Sequence, residues 1–248
     1  MAERVFQIYS GEQLTAEMVA AAAELYSRSY GVWGPGAPRE GKRIRISARQ
    51  LCAEYLSHPR ETLYARAVVD GVLAGQVLCT RWPGADGRLV CWVTLLVVRA
   101  EYRRRGLAAA LLRCVQSDLD AVYGLLSPNP TACLAAAHAF GTPLDRISLE
   151  FIATNAEAVL AASPVPRLRG VRLRGTVFNA ATPGSLVAGA DTQFFVGRSE
   201  LLTNLHLIED QYAWPLGELP PGHEFLLLVP ARDRGISPPR PFVPQPVD

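Results

Sequence analysis

The sequence predicts a mixed α/β fold, an α+β arrangement in which one sheet carries parallel and antiparallel strands with helices on its faces. Three observations predict it. LVCWVTLLVV (89–98) is a nearly unbroken run of strand-forming apolar residues, the pattern of a strand buried on both faces. In the segment after it, Leu107, Ala110, Leu111, Cys114 and Val115 fall at helical spacing and make one apolar face. VYGLLS (122–127) then reads as another short buried strand, and a second helix follows it. Strand, helix, strand, helix implies a partly parallel sheet joined by crossover helices.

The remaining elements follow from local chemistry. VFQIYS (5–10) reads as an opening strand. TAEMVAAAAELYSRSYG is Ala-rich helix chemistry with Thr15 as N-cap. Residues 31–43 are rich in Gly and Pro and read as loop. SARQLCAEYLSHP is a short helix with Ser47 as cap and Pro59 beyond its end. TLYARAVV and VLAGQVLCTRW flank Asp70-Gly71, the dipeptide of a tight hairpin turn. Asn129 and Pro130 open the helix TACLAAAHAF, which ends at Gly141. After residue 145 the pattern weakens. ISLEFIA reads as a strand, TNAEAVLAAS as a helix capped by Thr154, and VRLRGTVF (171–178) as an alternating strand. TQFFV, a helical ELLTNLHLIEDQYAW and EFLLLVP (224–230) form a last strand–helix–strand set. The expected organisation is a core over 1–153, an α/β extension over 154–235 packed on that core, and a Pro-rich tail over 236–248 that does not fold by itself.

Bulk properties narrow the function classes. The chain has 248 residues, 49% apolar and 19% charged, so it can bury a sizeable core. A net charge of +2 is too mild to suggest a nucleic-acid partner. No stretch approaches the roughly 18 consecutive apolar residues of a membrane span, and MAERVFQIYS lacks the basic head and apolar core of a signal peptide. Five scattered cysteines with no C-x-x-C pair read as buried free thiols in a reducing compartment, so a cytoplasmic location is expected. Four dispersed histidines give no metal site.

The segment with chemical content is VVRAEYRRRGLAAALL, placed between the buried strand and the amphipathic helix. Helix N-termini leave amide N–H groups without partners and carry partial positive charge, and a pyrophosphate satisfies both. Gly106 lacks a Cβ, so an anion can approach its backbone. Ala108 stays small for the same reason. Arg103, Arg104 and Arg105 add positive potential at an end where the helix dipole disfavours cations, which is itself unusual. With Glu101 and Tyr102 before it, Arg103-Arg104-Arg105-Gly106-Leu107-Ala108 resembles motif A of the GNAT N-acetyltransferase superfamily, Gln/Arg-x-x-Gly-x-Gly/Ala. The resemblance covers roughly residues 5–153 and implies the GNAT acyl-CoA N-acyltransferase fold, here with a C-terminal strand–helix–strand extension. It implies acetyl-CoA as co-substrate. It also implies that the backbone of Leu96, Val97 and Val98 holds the pantetheine arm in a gap between strands, with a main-chain N–H polarising the thioester carbonyl. Asn129 matches a residue that relatives often carry near the pantetheine; a plain N-cap role is open beside it.

Acyl transfer to an amine moves two protons: one leaves the ammonium and one reaches the departing thiolate. Many relatives use a strand glutamate as base and a helix tyrosine as acid. LVCWVTLLVV has no carboxylate, and Thr94 is its one hydroxyl; the turn matching the tyrosine holds Ala136, Ala137 and His138. His138 could substitute for the acid or be an ordinary packed or surface residue, and His206 reads as an ordinary helix residue. The C-terminal segments LRGTVF, DTQFFV and WPLGELPPGHEFLLLV resemble a group of fungal acyl-CoA N-acyltransferase-like proteins. Within them His223 could deprotonate an amine or cap a turn, and Glu224 could attract an ammonium. Tyr26, Tyr30, Tyr55 and Tyr64 lie where relatives bind their acceptor. The expected function is acetyl or short-acyl transfer from acyl-CoA to a small primary amine, by direct attack in a ternary complex, in a monomer or homodimer. The catalytic candidates are His223, Glu224 and Thr94. The alternative is a CoA-binding regulator, or a degenerate relative serving as an interaction module.

Overall fold

The structure is a computed structural model that describes residues 3–84, 86–181 and 184–231; the Pro-rich tail expected over 236–248 lies outside the described residues. Eight strands form one mixed sheet in the order β1-β2-β3-β4-β5-β8-β7-β6. The first half runs β1 (Arg4–Ser10), α1 (Ala16–Ser29), α2 (Ala48–Tyr55), β2 (Thr62–Val69), β3 (Val72–Pro83) and β4 (Leu89–Val98). The second runs α3 (Leu107–Cys114), β5 (Asp120–Ser127), α4 (Pro130–Ala139), α5 (Leu149–Ala161), β6 (Arg172–Arg174), β7 (Gly189–Asp191), α6 (Ser199–Glu209) and β8 (His223–Pro230). β4 and β5 pair in parallel, as the α3 crossover requires, and every other ladder is antiparallel.

Local chemistry sets the element ends. The Thr15 hydroxyl accepts from the Met18 N–H, and Ser47 and Gln50 form a capping box at α2. Asp70 and Gly71 both take positive φ, 47° and 76°, the conformation of a tight hairpin turn between β2 and β3. Asn129 caps α4 with Pro130 in its first turn. Two apolar layers cover the sheet. Leu107, Leu111 and Leu112 of α3 pack in the larger one with Cys133 and Ala136 of α4. In the other, Ala22 and Tyr26 of α1 and Leu51 and Tyr55 of α2 pack on Leu78 and Leu95 of the sheet. The Arg81 guanidinium grips the buried Asp120 carboxylate through two bonds of 2.6 and 2.8 Å, tying β3 to the start of β5.

Four expectations are corrected. Residues 149–161 form one helix, not a strand followed by a helix: Ser148 caps it, and Ile152, Ala156, Val159 and Leu160 fall on one buried helical face. That helix runs through the boundary expected at 153/154. The strand expected over 171–178 stops at Arg174, because Gly175 turns to φ 119° and sits where a Cβ would lie 2.2 Å from the Val187 carbonyl oxygen. TQFFV is not a strand; β7 precedes it, and Gln193 at φ 56° turns the chain out of the sheet. Phe194–Gly197 then crosses to the 31–44 loop, where Gly34 N–H donates to the Phe195 carbonyl at 2.9 Å and Gly197 N–H to the Val32 carbonyl at 2.8 Å. Among the thiols, Cys79, Cys91 and Cys133 are buried as expected, while Cys52 is exposed and Cys114 half-buried. No helix among the described residues is long and apolar enough to cross a membrane, and no group of three or more His, Cys, Asp or Glu among them could hold a metal ion.

Candidate active site

The site begins where two parallel strands part. β4 pairs with β5 only from Leu89 to Val93, whose partner is Leu125. At that point β4 carries a bulge: Leu78 of β3 opposes Leu95 and Cys79 opposes Val93, which leaves Thr94 as the extra residue. A bulge bends and twists its strand, and beyond it Leu95–Val98 has no strand partner on the β5 side among the described residues. The edge that holds Leu96, Val97 and Val98 is therefore a row of main-chain groups facing a gap. From Val90 to Val93 the strand is buried throughout; from Thr94 onward half-buried and buried residues alternate.

The gap leads into the arginine loop. A short 3-10 turn, Ala100–Tyr102, follows β4, and then the backbone takes two left-handed positions, Arg104 at φ 59° and Gly106 at φ 77°. Gly106 is the N-cap of α3, with no side chain capping the helix. Nothing lies within 4 Å of where a Cβ on Gly106 would stand. The first N–H groups of α3 thus have no side-chain cap, and beside them stands a residue without a side chain, a cradle whose local chemistry can take a diphosphate. Leu107 is buried and anchors the helix start, and Ala108 is half-buried.

The three arginines do different things. Arg104 and Arg105 are exposed, the latter with its guanidinium 5.5 Å from the Tyr102 ring centre. The Arg103 guanidinium is turned away from the cradle: it donates to the Val98 carbonyl at 3.1 Å and the Ser29 carbonyl at 2.5 Å, and pairs with Glu200. It therefore fastens the loop to the ends of β4 and α1 and to the first turn of α6. The Asn129 side-chain oxygen accepts from the Thr131 N–H at 3.0 Å, the N-cap role.

On the α1 and α2 face of the gap lies a polar cluster drawn from four segments. Tyr26 and Tyr30 of α1 stack at 4.2 Å, and Tyr26 and Tyr55 pack in the same layer as Leu95 and Val97 of the parted strand. Arg167, in the turn after α5, donates to the Tyr55 hydroxyl and lies over the Tyr55 ring at 5.3 Å. Glu224 of β8, only 4% exposed, faces this group next to Phe225, the partner of Ser127 at the end of β5. Burial pushes the Glu224 carboxyl above its ordinary value, against the opposing pull of Arg167 and of a hydrogen bond from Thr192. Burial likewise pushes the Tyr26, Tyr30 and Tyr55 hydroxyls up, so all three stay protonated.

The other candidates are placed elsewhere. The Thr94 hydroxyl is spent on the Leu78 carbonyl at 3.2 Å. His223 precedes Glu224 and so points to the opposite face of β8; its Nδ1 lies 2.9 Å from the Pro221 carbonyl, beside Asp191. The Tyr64 hydroxyl donates to Gln76, which in turn donates to the Ala22 carbonyl, a buried structural chain. His138 and His206 are exposed on their helices. Arg167 and Thr192 are the cluster members that sequence reasoning missed. Arg167 sits in an unremarkable PRLRG stretch, and nothing local marks it.

The model of the Acetyltransferase (GNAT) family matches residues 19–129. No curated protein matches the chain. Among solved structures, the chain is similar to a ribosomal-protein alanine N-acetyltransferase from Escherichia coli, at 18% identity over 55% of this chain and 77% of that one, TM-score 0.39. It is similar to the NatC complex bound to Gag peptide and CoA, at 18% identity over 56% and 84%, TM-score 0.41. It is also similar to yncA from Salmonella typhimurium, solved with its cofactor acetyl-CoA, at 15% identity over 55% and 78%, TM-score 0.40. Residues 19–129, which hold the parted strand, the arginine loop and the tyrosines but not Arg167 or Glu224, are thus the stretch that matches the GNAT acetyltransferase family.

Proposed function

We propose that this protein transfers an acetyl or other short acyl group from acyl-CoA to a small primary amine, within one ternary complex. One observation carries the proposal: the unpaired β4 edge runs from the bulge at Thr94 toward the start of α3 at Gly106, where no side chain caps the helix, while the buried Glu224 carboxyl lies near Tyr30 and Tyr55 on the α1 and α2 side. The family match over residues 19–129 supports the same coenzyme.

The coenzyme supplies a thioester, an acyl group already activated for attack. The N–H groups of Gly106, Leu107 and Ala108 hold its diphosphate, aided by Arg104 and Arg105. The main chain of Leu96, Val97 and Val98 lines the arm, and one N–H there polarises the carbonyl. Arg103 acts through the loop, as a positioning residue. Glu224 takes the proton from the acceptor's ammonium; its raised proton affinity suits it to that task, because a base poised nearer neutrality is the more effective one. The C–N bond then forms as the C–S bond breaks, and the thiolate takes a proton from solvent. Much of the rate comes from holding amine and thioester together. The free, mostly buried thiols favour a reducing, cytoplasmic setting, and we extend the proposal to a monomer or homodimer without a nucleic-acid or membrane partner.

The test is release of free thiol from acetyl-CoA across a panel of primary amines. In wild type kcat/KM should rise with pH, along a limb above the ordinary carboxylate range, as Glu224 ionises. Glu224→Gln should lower kcat by about 100-fold or more and flatten that limb, while the rise in Tm on adding acetyl-CoA stays unchanged. Coenzyme binding with no thiol released by any amine would instead favour the CoA-binding module.

A further inference from the structure

We infer that the acceptor is itself a zwitterion, a small free amino acid whose ammonium sits at Glu224 and whose carboxylate is held by Arg167. The inference takes from the reading above that this cluster is the acceptor side of the gap; the choice of ligand rests on the cluster alone.

Opposite charges buried near one another ordinarily close into an ion pair, because leaving either alone in a low-dielectric interior is costly. This chain shows what such closure looks like. Arg81 meets Asp120 through two bonds of 2.6 and 2.8 Å, with the carboxylate fully covered. Arg167 and Glu224 are within electrostatic reach of each other, yet neither takes part in an ion pair among the described residues. Each has a neutral companion instead, the Tyr55 hydroxyl for Arg167 and the Thr192 hydroxyl for Glu224.

The unused capacity has a definite chemistry. A guanidinium carries five N–H donors in a planar fork that matches a carboxylate through two parallel bonds. Here one donor of the fork is taken by the Tyr55 hydroxyl, with the guanidinium centre 5.3 Å from the ring centre, and the remaining donors are left for a ligand. An ionised carboxylate accepts only, so Glu224 calls for a cationic donor. A ligand that satisfies both must carry an anion and an ammonium a short distance apart. The stacked Tyr26 and Tyr30 rings lie beside both charges and present neutral hydroxyls rather than a counter-ion. A plain amine would leave the half-buried Arg167 without an anion, and an N-blocked acid would leave the buried Glu224 without a cation.

Calorimetry on the full chain with CoA present tests this without needing turnover. The ligands are matched sets: phenylalanine, its methyl ester and phenethylamine; leucine, its methyl ester and isoamylamine; ornithine and putrescine; and the N-acetyl amino acids. In at least one set the free amino acid should bind about tenfold or more tighter than its ester, its decarboxylated amine or its N-acetyl form, as expected when a missing group leaves a buried charge unpaired. Arg167→Met should bring the acid-to-amine ratio close to one, and Arg167→Lys, which keeps the charge but loses the fork, should fall between; far-UV circular dichroism checks that both stay folded. Equal binding of acid and amine, or no binding of any amino acid, overturns the inference. If carboxylate-free amines release thiol as well as amino acids do, acyl transfer stands and the zwitterion falls. If amino acids bind through Arg167 but no thiol appears, the zwitterion stands and acyl transfer falls.

Discussion

The two sides of the gap are built on opposite plans. The coenzyme loop is local, exposed and made of backbone: residues 103–108 hold the whole cradle, and its chemistry is N–H groups, two left-handed φ values and a missing side chain. The acceptor cluster is scattered, covered and made of side chains from α1, α2, the turn after α5 and β8. The first plan suits a ligand handle that is always the same and can be bound from solvent. The second suits discrimination, since a buried charge rejects a ligand that fails to meet it far more severely than an exposed one does.

Breaking the local side should have the largest effect. Gly106→Glu places a side chain at φ 77° and a negative charge against the phosphates. The rise in Tm with acetyl-CoA should vanish, matching an affinity loss of about 100-fold or more; Gly106→Ala, with the strain but not the charge, should keep part of the shift. An intermediate effect separates the arginines. Arg105→Ala should weaken coenzyme binding by about threefold to tenfold, and the difference should shrink in high salt as expected of an exposed charge. Arg103→Ala should mainly cost stability, about 1–2 kcal/mol, through its lost charged bonds to the Val98 and Ser29 carbonyls, with a weaker salt dependence. Equal salt dependence of the two variants would show that Arg103 reaches the phosphates after all.

The smallest effect sharpens the covered side. A carboxyl whose folded proton affinity is raised is best tolerated when protonated. Its stability contribution is therefore fully present below the ordinary carboxylate pKa of about 4.3 and is lost as pH rises through the folded value. Glu224→Gln, inactive but permanently neutral, should accordingly melt about 2–5 °C above wild type at neutral pH, with the gap closing as pH falls toward 4.3. A lower Tm for the variant at neutral pH would mean that the ionised Glu224 is better solvated than its burial implies.

The same contrast explains what could be read from the sequence. The parted strand, the loop and α3 are encoded within about twenty consecutive residues, so pattern and motif located them together. The hairpin at Asp70-Gly71 and the caps at Thr15, Ser47 and Asn129 were legible for the same reason. Glu224 could be marked as a carboxylate before a strong strand, but its company could not. Arg167 meets Tyr55 across more than a hundred positions of chain, and no spacing rule carries information over that separation. Thr94 is legible as the lone hydroxyl of β4; that it is a bulge depends on register with β3, which the sequence of β4 does not contain. ISLEFIA failed because short apolar runs suit both periods, and the cap at Ser148 decided for the helix.

The cluster of Tyr26, Tyr30, Tyr55, Arg167 and Glu224 draws on segments both before and after the Gly106 loop in sequence. On the ribosome the loop at Gly106 can therefore emerge and fold against α1 well before β8 exists. A nascent chain halted short of β8 would carry the Gly106 loop but lack Glu224, so on the proposed mechanism coenzyme binding would precede catalysis during synthesis.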